Sequence, residues 1–515
     1  MKTLLFLLLL LLPVTVDFDA AVLRITGAGS MEELDETTLE RFRSLALHPV
    51  SLNSAGRSRL VSCGLFSAFQ AASLIDYRTR TGDILSFTEL SLVDGFPADF
   101  VEALRPFVRL DSSGPPGKRH SERLHADAMM RGAVRASDDT VFAAGGKVKL
   151  SLGDRAELNW GTRTTYTDGT LRLGTVSAAV YGRKYLGKLI LGHFNARFGQ
   201  GLAQWSGFSL QPYGSVASLR RSGTGFSATG SFSPELCGIA TDWDLGRWNV
   251  GLAYSFKGKQ PIVAASYVGQ RFTAGVTATS KAVSLDWRIG IPDASIYGEL
   301  AWNGAFQGLA GVMWVPSYGS KVSAVGRYID GVPELIAGAS AWSAETVVAI
   351  SPRQFRSMVK YAPPLSLGPL VFTPSLRLAA RSSGTWRFEG RGEAGLAWNG
   401  WSLHSRLDIV HCEETSWLIN AEAGRTEGAI KAYLRWTLFR VDKWPDRIYV
   451  YERDAPGSFN VPAYYGKGWS LSLAGSWRPS RRHAFYLRLS YIGYPWMDSP
   501  KPSRTEINLQ YQLSL

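Results

Sequence analysis

Glu506-Ile507-Asn508-Leu509-Gln510-Tyr511-Gln512-Leu513-Ser514-Leu515 closes the chain, and its alternation decides how the rest is read. Successive side chains of a strand point to opposite faces. Ile507, Leu509, Tyr511, Leu513 and Leu515 therefore share one face, and the five polar residues share the other. The pattern repeats upstream. Phe485, Leu487, Leu489 and Tyr491 oppose Tyr486, Arg488 and Ser490; Ile430, Ala432, Leu434, Trp436 and Leu438 oppose Lys431, Tyr433, Arg435 and Thr437. Trp248, Val250, Leu252, Tyr254 and Phe256 oppose Asn249, Gly251, Ala253, Ser255 and Lys257. Segments of about 10 residues of this kind recur back to Leu124, roughly 20–24 of them, as membrane-spanning strands require. Turn-rich stretches such as residues 381–384 and 478–482 separate them. The spacing predicts a mainly β fold, a large antiparallel transmembrane β-barrel over residues 124–515. A soluble sandwich or propeller would alternate as well. The length of the strands, the charges on their polar face and the lack of a repeat of about 40–50 residues all speak against it.

Composition agrees. Charged residues make up 19% of the chain and mean hydropathy is −0.04. That is too few charges for an ordinary soluble globule and far too polar for a helical membrane protein, whereas a barrel has a lipid face and a polar lumen. Trp160, Trp302, Trp314, Trp386, Trp401 and Trp477 fall near segment ends, where amphipathic rings suit the two membrane interfaces. The chain begins Met1-Lys2-Thr3, runs through leucine-rich residues 4–12 and meets Pro13. A basic start, a short apolar stretch and a polar exit predict a secretory signal peptide over residues 1–20. Cys63, Cys237 and Cys412 are odd in number and widely spaced, so they form no disulfide framework.

The formal charge of +13 is unevenly placed. Residues 1–20 carry −1 and residues 21–110 carry −2, with nine Arg, no Lys and eleven Asp and Glu, which leaves +16 from Asp111 onward. Residues 21–110 also differ in period. Leu34, Leu39, Phe42, Leu45 and Leu47 recur at helical spacing. Two shorter helical pairs follow, one hinged at Gly64-Leu65-Phe66 and the other at Gly95-Phe96-Pro97, where glycine admits a positive φ. The reading is a small all-α unit of two helix-hairpin-helix repeats. A Pro/Gly-rich basic linker, residues 111–123, joins it to the barrel.

Pro49-Val-Ser-Leu-Asn53-Ser-Ala55, with Gly64 and Ile75-Asp76-Tyr77-Arg78, resembles the helix-hairpin-helix domain of the competence DNA-receptor family, as does Phe87-Thr-Glu89-Leu90 leading into Val93-Asp94-Gly95. The whole chain resembles a bacterial family in which such a domain precedes an outer-membrane barrel. Arg197-Phe198-Gly199-Gln200-Gly201-Leu202 with Trp205-Ser206-Gly207-Phe208 carries that likeness, together with Tyr451-Glu452, Pro456-Gly457-Ser458-Phe459 and Tyr465-Gly466-Lys467-Gly468. The resemblance implies architecture rather than activity. It places Gly64, Leu65, Gly95 and Phe96 as hairpin contacts to a phosphate or a partner. The residues oppose the nucleic-acid version: the second hairpin glycine is missing twice, Pro97 has no N–H to donate, and the unit is acidic where phosphate binding needs Lys and Arg.

No hydrolase elbow, phosphate loop or metal-binding motif occurs, and the seven histidines do not cluster. We therefore expect no catalytic, metal or cofactor residues. Two segments break the alternation, residues 199–223 and 455–468. Gln200, Trp205, Arg220, Arg221, Phe459, Tyr465 and Lys467 in them are candidates for a loop folded into the lumen, with ordinary surface loops the alternative. The expected protein is a non-enzymatic pore or scaffold set in outer-membrane lipid. Its helical domain stands in the periplasm to dock a protein partner. A DNA-uptake component and an outer-membrane enzyme are the alternatives.

Overall fold

The computed structural model describes residues 18–28, 31–34, 36–111, 124–164, 171–182, 185–207, 214–231, 234–317, 319–363, 365–456, 458, 460–497 and 501–515. Most of the expected signal peptide and linker lie outside them. Among the described residues, 24 antiparallel strands form a closed ring. It runs from Leu124–Ala136 to Arg504–Ser514, and these two strands pair with each other to close it, Val134 opposite Ile507 and Gly132 opposite Leu509. Closure removes every free edge, so each strand finds backbone partners on both sides.

Burial is inverted relative to a soluble protein. On the last strand Glu506, Asn508 and Gln510 are buried, while Leu509 is 56% exposed. On Trp401–His411, Arg406 and Asp408 are buried and Leu403, Leu407 and Ile409 are exposed. A continuous apolar outer surface with a polar inner wall is the arrangement that lipid on one side and a polar lumen on the other demand. Trp302 and Trp386 mark one rim, Trp314, Trp401 and Trp477 the other, and Trp160 sits mid-strand. Tight turns join most strands. In Asp330-Gly331 and Asn399-Gly400 both residues have positive φ, the geometry that matches strand twist in a two-residue hairpin.

The helical unit comprises α1 (Phe18–Thr26), α2 (Glu36–Leu47), α3 (Arg57–Ser62), α4 (Ala68–Thr81), α5 (Phe87–Leu90) and α6 (Ala98–Leu104). The expected boundary at residue 20 falls inside α1, whose Phe18 packs edge-on against Phe107. Phe42, Leu52, Leu60, Leu74, Phe96 and Phe107 fill its core. A parallel two-residue bridge between Val50–Ser51 and Val108–Arg109 ties the stretch after α2 to the unit's C-terminal end. Buried Asn53 exchanges two hydrogen bonds with the Ile84 backbone and donates to the Asp111 carbonyl.

This unit was expected to stand apart from the barrel, in the periplasm. The structure instead packs it inside the barrel, entering from the end that holds Leu124 and Leu515. Its polar side chains meet inward-facing residues around much of the wall. Glu40 and Ser44 hold Lys147 and Lys149, each at 2.6 Å, and His48 bonds Asp127. Arg59 reaches Glu157 and Tyr181, Ser58 donates to Asp244, and Phe69 lies under Arg288. On another part of the wall Glu32 meets Arg391 and Arg406. The physical reason is complementarity: charged side chains of the unit meet wall residues of opposite sign, Glu40 on Lys147, Arg59 on Glu157 and Glu32 on Arg406. Sixteen to eighteen strands already enclose an aqueous channel, so a 24-stranded ring needs filling to be compact.

Candidate functional site

Two long segments come from the barrel end opposite the helical unit and lie against the inner wall. The first follows Leu186–Arg197 and returns at Leu236–Leu245. Gly199 and Gly201 have positive φ, which turns the backbone N–H groups of Gln200 and Leu202 onto one Glu299 oxygen, at 2.6 and 3.2 Å. A Cβ on Gly199 would stand 2.8 Å from that oxygen, so the glycine is needed twice over, for φ and for room. Gln200 and Arg221 exchange two hydrogen bonds, and the guanidiniums of Arg197 and Arg221 both lie over the Trp205 ring, at 5.6 and 5.0 Å. Arg220 turns away and donates to Ser295, while Tyr297 donates to the Leu219 carbonyl. Val216 and Leu219 complete an inward apolar patch with Tyr297, Val325 and Ile336.

The second segment joins Ile430–Val441 to Gly466–Trp477. Its stretch 447–451 is laid along the wall by three arginines from three strands. Arg387 donates to the Arg447 carbonyl, Arg406 to Tyr449 and Arg435 to Tyr451, at 3.0, 3.0 and 2.7 Å. Every second carbonyl of an extended chain points the same way, which is why one face of this segment is caught at each alternate residue. Buried Glu452 anchors the return by accepting from Arg488, Tyr464 and Asn460. Tyr465 lies at this segment's rim against Trp444, and Lys467 pairs with Asp442. Phe459 lies outside the described residues.

The helical unit meets both segments. Gly27 abuts Ala217, and Arg43 donates to the Ser458 carbonyl. The junction is Glu32. One of its oxygens accepts from Arg406 at 2.6 Å and from the Tyr451 backbone at 3.2 Å; the other stands 3.8 Å from Arg391. Arg406 thus joins helical unit, wall and segment, and it also grips Asp408. Burial alone would raise the Glu32 carboxyl. The two guanidiniums and the Arg406 hydrogen bond outweigh it and hold the group well below the usual carboxylate range.

The hairpin candidates are placed differently. Gly64 and Gly95 do adopt positive φ, and Gln70, at the start of α4, donates to the Gly95 carbonyl. Leu65 and Phe96, however, are core residues, 4% and 1% exposed. At the start of α4, Ser67 and Gln70 form a capping box that takes up the Gln70 N–H. At the first hairpin, the Gln70 N–H is thus taken up inside the domain, and at the second Pro97 has no N–H to offer.

Beside Glu32 lies a feature that the reading of the sequence did not find. Three neighbouring strands, Phe355–Tyr361, Leu370–Ser382 and Trp386–Trp398, set basic residues directly opposite one another. Arg356 faces Arg381, which faces Arg387; Lys360 faces Arg377, which faces Arg391. Like charges in directly opposed positions destabilise a sheet. The only trace in the sequence is four arginines of one parity, Arg377, Arg381, Arg387 and Arg391, on either side of a turn.

No family model and no curated protein matches this chain. Among solved structures it is similar to OccK3 (OpdO) of Pseudomonas aeruginosa, at 11% identity and a TM-score of 0.33, over 76% of this chain and 96% of that one. OccK5 (OpdH) of the same organism gives 9% and 0.34 over 76% and 99%, and a BenF-like porin from Pseudomonas fluorescens Pf-5 gives 8% and 0.32 over the same shares. At TM-scores this low the likeness carries no weight in assigning a function, and the barrel stands on the chain's own strands.

Proposed function

We propose that this chain is a non-enzymatic outer-membrane pore whose N-terminal helical unit is a stopper held in the lumen. One observation carries the reading: polar and charged contacts fix the helical unit to the inner wall, Glu32 on Arg406 foremost, while the apolar residues of the strands face outward. A stopper held by ion pairs and hydrogen bonds leaves a lumen still lined by polar groups when it moves, which a domain sealed by apolar packing would not. A closed barrel with an apolar outer face suits outer-membrane lipid, and a signal peptide over residues 1–20 would account for its export.

A periplasmic protein that pulls or receives the helical unit would be its natural partner, because the unit enters from the end that holds both barrel termini. The DNA-uptake reading has less support: Leu65 and Phe96 are buried and the Gln70 donor is capped. The experiment is a current recording on the full chain in planar bilayers, with urea raised and then withdrawn. A stopper less stable than its barrel gives small steps in buffer and large, reversible steps in urea. A chain that conducts fully in buffer, or never, contradicts the reading.

A further inference from the structure

The two rows of opposed basic residues border a chamber of about 220 Å³. Arg377, Arg381, Arg387 and Arg391 line it from the wall, Arg447 from the second inward segment and Glu32 from the helical unit. Among the described residues, five arginines there face three carboxylates, Glu32, Glu389 and Asp408, and Arg377 has a further interaction of its own. Glu389 is shared between Arg387 at 2.6 Å and Arg381 at 3.7 Å, and Asp408 between Arg391 and Arg406. Among the described residues Arg447 has no ion pair; it donates to the Tyr449 hydroxyl and to the Trp444 carbonyl and stacks on Trp444. Arg356, in the first row, has none either and donates to Gln354.

We propose that this chamber binds a compact multivalent oxyanion, a di- or tricarboxylate or a phosphate, and that Glu32 is its built-in competitor. The inference rests on the stopper reading for the position of Glu32, and it adds the class of solute. Two features of the chamber support it. Planar guanidiniums from two strands and one crossing segment suit the several oxygens of such an anion. The chamber already shows a carboxylate in place: Glu32 takes hydrogen bonds from Arg406 and the Tyr451 N–H beside Arg391, as a solute carboxylate would. The wall, residues 447–449 and the helical unit enclose it on different sides, so it admits a small ion and not a polymer. Arrival of that ion removes the electrostatic demand that Glu32 meets, which couples solute binding to release of the stopper.

The test is calorimetric titration of the full chain in detergent with inorganic pyrophosphate, and in parallel with citrate, at fixed ionic strength. Wild type is expected to show saturable binding of at least one of them, and the pair shows which oxyanion is preferred. R377Q/R381Q should weaken it at least tenfold, and E32Q should strengthen it severalfold. R381Q alone, at a side chain 55% exposed to the lumen, serves if the double variant fails to fold, and R481Q/R482Q at an exposed turn is the control. No saturable binding, binding indifferent to Arg381, or an E32Q chain that binds no better overturns the proposal. Binding is read without a current, so the two ideas fail separately. Arginine-dependent binding in a chain that never conducts removes the pore and keeps the site; reversible conductance in a chain that binds neither anion removes the site and keeps the pore.

Discussion

Replacing Glu32 by Gln keeps the shape of the group that locks the stopper and removes its charge. The loss can be bounded from its contacts. Glu32 gives up one charge-assisted hydrogen bond from Arg406 and a longer-range pairing with Arg391. Both arginines keep Asp408, at 2.6 and 2.9 Å, so neither becomes an orphaned buried charge. The larger penalty for breaking a buried pair therefore does not apply. A hydrogen bond to a charged group contributes about 1.5–3 kcal/mol, so docking should weaken by about 2 kcal/mol, roughly thirtyfold in the equilibrium. For a unit of this size, stability falls by about 1 kcal/mol per molar urea, so the midpoint of urea-induced conductance should drop by about 2 M. Glu102→Gln, which alters only a surface pair with Arg105, should move it by less than about 0.5 M. If the two substitutions shift the midpoint equally, Glu32 does not hold the stopper and the reasoning fails.

The same carboxyl predicts a dependence on acid. Its folded value is depressed, so its contribution is complete above the unfolded value of about 4.3 and is lost as pH falls toward the folded one. Conductance should be flat from about pH 8 to 5 and rise below about 4, and E32Q should flatten that rise. Gly199→Ala forces both a positive φ and a Cβ against Glu299, a cost of about 1–3 kcal/mol, visible as faster proteolysis within residues 198–231 while the barrel stays intact. Arg435→Ala frees the Tyr451 carbonyl and one side of Glu422, and limited proteolysis should then cut the segment around residues 447–458 sooner. Leu434→Arg puts a charge on the lipid face and should destabilise the folded barrel by about 2–4 kcal/mol in lipid-vesicle unfolding, whereas a soluble β protein would tolerate it at an exposed site.

Residues 506–515 show why the barrel was legible. Period-2 alternation is a local property of the chain, and the apolar face of each run is the exposed one in the structure. The glycines at residues 64 and 95 were legible for the same reason, since a left-handed residue between two short helices is written into neighbouring positions. Where the helical unit sits was not legible. Its −2 against the +16 that follows hinted at attraction, but the pairing of Glu32 with Arg406 spans 374 residues of sequence. A basic, Pro/Gly-rich stretch reads as a linker whether it leads into the lumen or away from it. The arginine rows were missed because register is what places Arg377 opposite Arg391 and Arg356 opposite Arg381. A slip of one residue would turn them to lipid, and turn lengths fix that register only once the neighbouring strand is known. Leu65 and Phe96, candidates for contact with a partner, instead fill the core, where a small domain has few other large apolar side chains to bury.

The most direct measurement compares the full chain with one lacking residues 18–111, both inserted in planar bilayers and both checked for a folded barrel by heat-dependent gel mobility. The stopper account predicts large, steady conductance steps from the shortened chain and small or absent ones from the full chain under the same conditions. Equal conductance from two folded barrels would contradict it.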